Sequence, residues 1–307
     1  MPKTDFPPPN QLTPADREWL DARISALGAA RAKRENFPVA SRLLRAERRR
    51  QLLDVYVVAR LIDDVGDEAP GDRLALLELI DDDLALVSSG TPTLGPVAAL
   101  VPLIRDAGVP LQPFRDLVAA NRMDQEVTRY ADFAALRGYC RLSAEPVGRL
   151  VLALWGLGDE RRTALSDDVC TGLQIAEHLQ DVGEDLAAGR IYLPEDALAR
   201  HGVTAELLAA AAIPGEPLAA ADRARIESLL SDVAERARIL LGSGRPLTRL
   251  MPGVMRVAVA GFTAGGLAAL DAVRAAGAEA VHVTPSPKKR RVVSHTLRTL
   301  ATAGIRG

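Results

Sequence analysis

Arg60-Leu61-Ile62-Asp63-Asp64-Val65-Gly66-Asp67-Glu68 decides how this chain is read. Behind it lies an apolar stretch, Leu52 to Ile62, that can hardly all face water, so the run predicts a core-packed helix ending in acids. Side chains four apart on a helix stand about 5–6 Å from one another on one face. Asp63 and Asp67 form such a pair, and Tyr56 and Arg60 continue their stripe backwards. Asp64 and Glu68 form one equally well, and periodicity alone does not choose between them. A second run, Glu177-His178-Leu179-Gln180-Asp181-Val182-Gly183-Glu184-Asp185, repeats the device with Asp181 and Asp185, behind Leu173, Ile175 and Leu179.

Outward from these motifs the chain reads as helix almost throughout. Ala, Leu and Arg dominate, and strand-like alternation is nearly absent. Thr13-Pro14-Ala15-Asp16 is an N-cap with proline just inside it, opening a helix toward Lys33. A short helix at 39–44 and a long one from Ala46 to Glu68 follow, then helices near 70–87, 96–106 and 110–128. Asp132 caps a predicted helix to Trp155, and Asp159 to Ala188 is read as one helix carrying the second acidic run. Gly189-Arg190-Ile191-Tyr192-Leu193-Pro194 turns the chain out of it, and long helices at 219–241 and 246–276 complete the pattern. The expected fold is all-α, in a single domain.

The bulk numbers exclude several classes. A net charge of −2 over 307 residues gives no global attraction for nucleic acid. The two cysteines, Cys140 and Cys170, lie in helical patterns without metal-ligand spacing, which fits core thiols in a reducing, cytoplasmic setting. The proline-rich start has no apolar signal segment. No apolar run reaches the roughly 20 residues of a membrane span, the longest candidate, 254–273, being interrupted by Arg256, glycines and Asp271. After Gly277 the chain is basic, and Lys288-Lys289-Arg290-Arg291 could touch an anionic membrane surface, although a solvated tail is the plainer reading.

Acids alone are weak evidence, since most clusters are solvated faces. Asp81-Asp82-Asp83 is read that way. The two matched runs differ because each follows apolar residues. Mg²⁺ takes oxygen ligands, commonly one or two carboxylates together with substrate phosphates. Two such helix segments suit a diphosphate held through metal ions. Gly261-Phe262-Thr263-Ala264-Gly265-Gly266 has helical surroundings and reads as a close helix approach, not a phosphate loop, and no Gly-x-Gly-x-x-Gly follows a strand.

The pattern Tyr-x-x-x-Arg-x-x-Asp-Asp-x-x-Asp, met by Tyr56, Arg60, Asp63, Asp64 and Asp67, resembles that of the squalene/phytoene synthase family. So does Gln180-Asp181-Val182-Gly183-Glu184-Asp185 followed by Gly189-Arg190-Ile191-Tyr192-Leu193-Pro194. Glu35-Asn36-Phe37-Pro38-Val39-Ala40-Ser41 and Tyr139 to Arg149 are similar to its hopanoid-pathway hydroxysqualene synthase branch (HpnC type), as are Gly265 to Asp271 and Pro285 to Lys288.

The resemblance implies an isoprenoid-synthase-like helical bundle around a central cavity, with a catalytic domain over 30–277, an N-terminal segment and first helix over 1–29 and a basic tail over 278–307. It implies Asp63, Asp67, Asp181 and Asp185 as ligands of Mg²⁺, with Mn²⁺ as a substitute, and so resolves the register of the first pair. Glu177 stands where the family commonly has Asn and could join them. Tyr56, Arg60, Tyr139 and Tyr192 are expected in catalysis. Phe37, Ser41, Asp64, Val147, Arg190 and Phe262 are expected to meet the substrate, a prenyl diphosphate. His178 is read as a packing residue. Glu145 also departs from the branch, which more often has Asn, and this bears on the polarity of the cavity. The implied reaction takes presqualene diphosphate to hydroxysqualene and diphosphate without NADPH. Head-to-head condensation of two prenyl diphosphates, or a non-catalytic relative, are the alternatives. The implied setting is cytoplasmic, with peripheral contact at the inner membrane surface as one reading, and the oligomeric state is open.

Overall fold

The computed structural model describes residues 12–33, 44–215 and 217–304. Phe37, Ser41 and the short helix expected at 39–44 lie in or run into the stretch outside them. Every regular element among the described residues is helical. The one β-type contact is an isolated bridge between Arg129 and Ile191. The all-α expectation holds.

The helices fall into two compact units. Residues 1–126 with 153–156 form the first, which carries α1 (Pro14–Lys33), α2 (Ala46–Glu68), α3 (Arg73–Ala85), α4 (Gly95–Ala98), α5 (Val101–Arg105) and α6 (Gln112–Met123). Here α2 is the central element, packed against α1, α3, α4 and α6. Its apolar stripe, Val58, Leu61, Ile62 and Val65, is fully buried. Each such side chain contributes about 1.5–3 kcal/mol relative to exposure. That burial forces the acids interleaved with the stripe to stand at the edge of a core.

The second unit, 127–152 and 157–307, holds α7 (Phe133–Ser143) and most of α8 (Glu145–Leu154). It continues through α9 (Glu160–Gln180), α10 (Val182–Ala187), α11 (Glu195–His201), α12 (Ala205–Ala211), α13 (Ala220–Leu241), α14 (Gly244–Leu250), α15 (Gly253–Ala276) and α16 (Lys289–Gly304). Its core is the mutual packing of α9, α13 and α15. Small residues make the approach close. A Cβ on Gly266 would lie 2.7 Å from Leu173 Cδ2, and one on Gly172 would lie 2.9 Å from Leu241 Cγ. The run at 261–266 lies within α15, and of its three glycines Gly266 makes the close helix approach while Gly261 and Gly265 face open space. By length and apolarity 253–281 could cross a membrane, yet half of its most apolar window is buried within this unit.

Caps fix the helix starts. Thr13 and Asp16 bond reciprocally, Asp16 N donating to Thr13 Oγ1 and Thr13 N to Asp16 Oδ2. Asp132 and Asp159 accept from the amides of Ala135 and Arg162. Several expected helices are divided. The run from Asp132 to Trp155 breaks at Ala144, because Pro146 cannot donate to a carbonyl one turn back and so sits in the first turn of a new helix. Pro252 separates α14 from α15 in the same way. The predicted helix 159–188 breaks at Asp181, with φ −104° and ψ 17°. Asp185 N still donates to Asp181 O at 2.8 Å, so the two acids keep their one-turn spacing.

Two surface expectations are corrected. Asp83 is buried and accepts from Thr93 N, Thr93 Oγ1 and Leu94 N, stapling the loop after α3. Asp81 is held by the Arg115 guanidinium through two 2.8 Å contacts. The basic segment read as a solvated tail forms α16, which packs on α14 and α15. His295 pairs with Asp271 at 2.9 Å, and Arg249 donates 2.6 Å to the Thr302 carbonyl.

Candidate active-site residues

In the first unit the two acid pairs at the end of α2 are sorted by charge. Asp64 is buried and lies 2.8 Å from Arg60 Nε, one turn earlier, while Arg23 of α1 binds its other oxygen. Glu68 pairs with the same two arginines. Both acids of the Asp64/Glu68 register are thus paired to arginines, Asp64 within the protein and Glu68 at its surface. Asp63 has a different neighbour: the Asn121 amide of α6 donates to its Oδ1 at 3.3 Å. Burial, ahead of every other influence, pushes the Asp63 carboxyl up to about 6. Asp67 is exposed one turn on. A nearby positive charge would favour the ionised form of this buried carboxyl, and an exposed acid stands one turn beyond it.

Arg60, expected against a diphosphate, is turned to Asp64 and Glu68, and Asp64 is enclosed by arginines. Tyr56 is half-buried on the Arg60–Asp63 stripe. Sequence reasoning missed Arg23 and Asn121. Gly66 was the available signal for the second, since a Cβ there would stand 1.9 Å from Asn121 Oδ1. A glycine in the middle of an acidic helix end marks a neighbour that comes close.

In the second unit Asp181, Glu184 and Asp185 cluster at the α9–α10 junction, with Glu177 exposed one turn before Asp181. Burial first, then the neighbouring Glu184, Glu177 and Asp185 charges, push Asp181 up to about 6. Such crowding of negative charge is relieved by a cation. His178 lies beneath: its Nδ1 is 3.5 Å from Asp185 Oδ2, and its ring stacks on Tyr192, centroids 3.8 Å apart and 11° from parallel. Tyr139 and Tyr130 complete a buried aromatic cluster, their rings 5.3 and 5.6 Å from Tyr192. The packing role read for His178 is what its burial shows, and the ring also touches an acid of the motif.

Backbone geometry puts Tyr192 there. Gly189 takes φ +77°, a left-handed turn that a side chain disfavours. Arg190 N then donates to Asp185 O and Ile191 N to Thr128 O. The segment 190–194 is thereby pinned to both the acidic run and the loop before Tyr130. Arg190 is half-buried beside it. Sequence reasoning did not single out Tyr130, which had no motif around it.

Glu145 is buried at the start of α8. Thr171 donates to it at 3.1 Å and Arg149 at 2.9 Å, and Arg149 also holds Asp167. Burial raises its carboxyl above the usual range. Val147 and Phe262 are exposed apolar side chains, 44 and 55 %, whereas Leu150 between α8 and its neighbours is fully buried. Burial pushes the thiols of Cys140 and Cys170 up to about 12 and about 11, so neither is a nucleophile near neutral pH.

Among the described residues no three His, Cys, Asp or Glu side chains form a ready-made metal cage. Mg²⁺ does not require one, because substrate oxygens and water fill most of its shell. The donor set present, carboxylates in pairs with no cysteine, suits a hard divalent ion.

An all-α enzyme scaffold with paired helical carboxylates is the class these features define. The squalene/phytoene synthase family model matches residues 30–298, and the chain belongs to that family. A hydroxysqualene synthase of Sinorhizobium fredii is 36 % identical over 219 residues, covering 70 % of each chain. A phytoene synthase of Mycobacterium tuberculosis is 36 % identical over 180 residues, covering 58 % of this chain and 59 % of its own. The crystal structure of squalene synthase HpnC from Alicyclobacillus acidocaldarius superposes with a TM-score of 0.73 at 36 % identity, over 86 % of this chain and 98 % of that one. The fold is therefore that of the squalene synthase-like isoprenoid synthases.

Proposed function

We propose that the chain is a hydroxysqualene synthase, converting presqualene diphosphate and water to hydroxysqualene and diphosphate with Mg²⁺ and without a reductant. The observation that carries this reading is the similarity to hydroxysqualene synthases over most of the chain, taken with the retained acid pairs. Asp63 and Asp67 would hold metal in the first unit, and Asp181, Asp185 and the exposed Glu177 would do so in the second. When bound, it supplies neutralising charge to the diphosphate leaving group.

The remaining chemistry belongs to this chain's residues. Asn121 orients Asp63 through the 3.3 Å amide contact, and His178, wedged on Tyr192, steadies Asp185. Tyr56 in the first unit and Arg190 in the second would each meet the substrate head, and the buried tyrosine cluster would hold the backbone of 190–194 in place. Arg60 sets the α2 acids apart in the resting protein and reaches phosphate only by leaving Asp64. Exposed Val147 and Phe262 contribute apolar surface against which the carbocation rearranges before one water captures it. The product is a long apolar alcohol, so the reading includes a cytoplasmic enzyme touching the inner membrane surface.

Product analysis by mass spectrometry with presqualene diphosphate, Mg²⁺ and no NADPH tests the proposal. Hydroxysqualene is the expected product, and Asp63→Ala or chelation should abolish it. The equal identity to a phytoene synthase motivates a second arm in which farnesyl or geranylgeranyl diphosphate is offered alone. Turnover there would replace this reading with head-to-head condensation, and no diphosphate release in either arm would leave a non-catalytic family member.

A further inference from the structure

The outward face of α16 combines apolar and basic side chains. Its residues Lys289 to Gly304 include no acid at all. Val293 and Leu297, one turn apart, are 57 and 63 % exposed, and Ala301 continues their stripe. At 100° per residue, Arg290 falls at the N-terminal end of that stripe, Arg298 along its flank and Arg291 farther round toward His295. With Lys288 and Lys289 they make five exposed cations, none within ion-pair distance of an acid among the described residues. The opposite face is fully engaged: Thr299 is buried, and His295 holds Asp271. The helix is thus fixed to the protein on one side, with apolar and basic side chains free on the other.

We propose that this face docks the enzyme, with α16 lying in the plane of the interface, on an anionic lipid bilayer. An apolar stripe beside clustered Lys and Arg is the composition that binds such interfaces, the cations meeting headgroup phosphates and the aliphatic groups entering the acyl boundary. Two medium-sized apolar side chains are too few to hold a neutral membrane, so the charge is decisive and binding is reversible. The location also serves the reaction. The strand of chain leading into α16 is tied to the acidic motif of the same unit, Thr284 Oγ1 donating to Glu184 at 2.9 Å and the Gln180 amide to the Pro285 carbonyl. The docking helix and the acids are neighbours along one short hydrogen-bonded path. A product that water will not dissolve would leave from an enzyme already at its destination, and in this respect the inference rests on the proposed reaction.

The test is sedimentation of the full chain with vesicles of phosphatidylcholine alone and of phosphatidylcholine containing phosphatidylglycerol. Binding is expected only with phosphatidylglycerol present and should weaken as salt is raised. Each basic residue near such a surface strengthens binding about fivefold, so Arg290→Ala with Arg291→Ala should weaken it roughly 25-fold. Val293→Ser with Leu297→Ser removes only the apolar stripe and should weaken it severalfold at unchanged charge. All four side chains are exposed, so melting temperatures should stay at the wild-type value. Absent binding, equal binding to neutral vesicles, or variants that bind like the wild type would overturn the proposal. So would a vesicle-free dimer that the serine variants dissociate, which would make the face a contact between copies. Vesicle binding with no turnover of presqualene diphosphate would refute the reaction alone, and turnover in detergent with no vesicle binding would refute the docking surface alone.

Discussion

Replacing Asp63 with Asn should stabilise the metal-free protein while abolishing its activity. Burial lifts this carboxyl from its ordinary 3.8 to about 6. The folded state therefore holds a proton that the unfolded chain releases, and wild-type stability falls as pH rises from about 4 to about 6. Two pKa units at 1.36 kcal/mol each give about 3 kcal/mol at pH 8. Asp63 keeps some exposure to water, which sets that figure as a ceiling, and about half of it is the working value. Asn carries no charge to desolvate, and its carbonyl still accepts from Asn121. At roughly 2 °C per kcal/mol for a chain of this size, the melting temperature should rise by about 3–6 °C at pH 8 in EDTA. The gain should shrink steadily as pH is lowered toward about 4. Scanning calorimetry across that range is the assay, with diphosphate release measured in parallel. A melting temperature at or below wild type at pH 8, or a gain independent of pH, would refute the argument that burial strains this acid.

Arg23→Met leaves Asp64 buried with one of its two cations gone. Breaking a buried pair typically costs about 3 kcal/mol, and urea denaturation should show a loss on that order. Gly172→Ala pushes a Cβ to 2.9 Å from Leu241 Cγ and 3.0 Å from the Ala237 carbonyl, so overpacking of about 1–3 kcal/mol should appear in thermal melts. Glu145→Gln tests the sign of a second buried acid. Its carboxyl is raised by burial, so the wild type loses stability as pH climbs above the ordinary carboxylate range, and the Gln variant should show a flatter stability profile between about pH 4 and 8.

The helices and the acidic pairs were legible because both are local. The apolar spacing of Val58, Leu61, Ile62 and Val65 writes α2 directly into the sequence, and a four-residue interval is enough to pair acids on it. The breaks at Ala144 and Pro252 were also written there, as Pro146 and Pro252, but the surrounding helical pattern outweighed them. The break at Asp181 had no such marker. Partners distant in sequence were not legible at all. Asn121 is 58 residues from Asp63, and Arg23 is 41 from Asp64, so no periodicity connects them. Asp83 looked like its neighbours Asp81 and Asp82 because the residues that bond it, Thr93 and Leu94, lie beyond a loop. The register of the first acid pair shows the difference well: spacing left it open, the family likeness favoured Asp63, and the two arginines around Asp64 supply a physical reason.

Those arginines have a mechanical consequence as well. A helix whose rim carries two interchangeable rows of acids could settle a residue out of phase, swinging each row through about 100°. Arg23, anchored on α1, acts as a detent against that slip, while Arg60 turns with the helix it stands on. Any turn of α2 that carried Asp64 outward would pull it from the Arg23 guanidinium and sink Asp63 where no cation waits, a penalty of several kcal/mol. The helix is thereby clocked, with Asp64 held inside and Asp67 turned out to water.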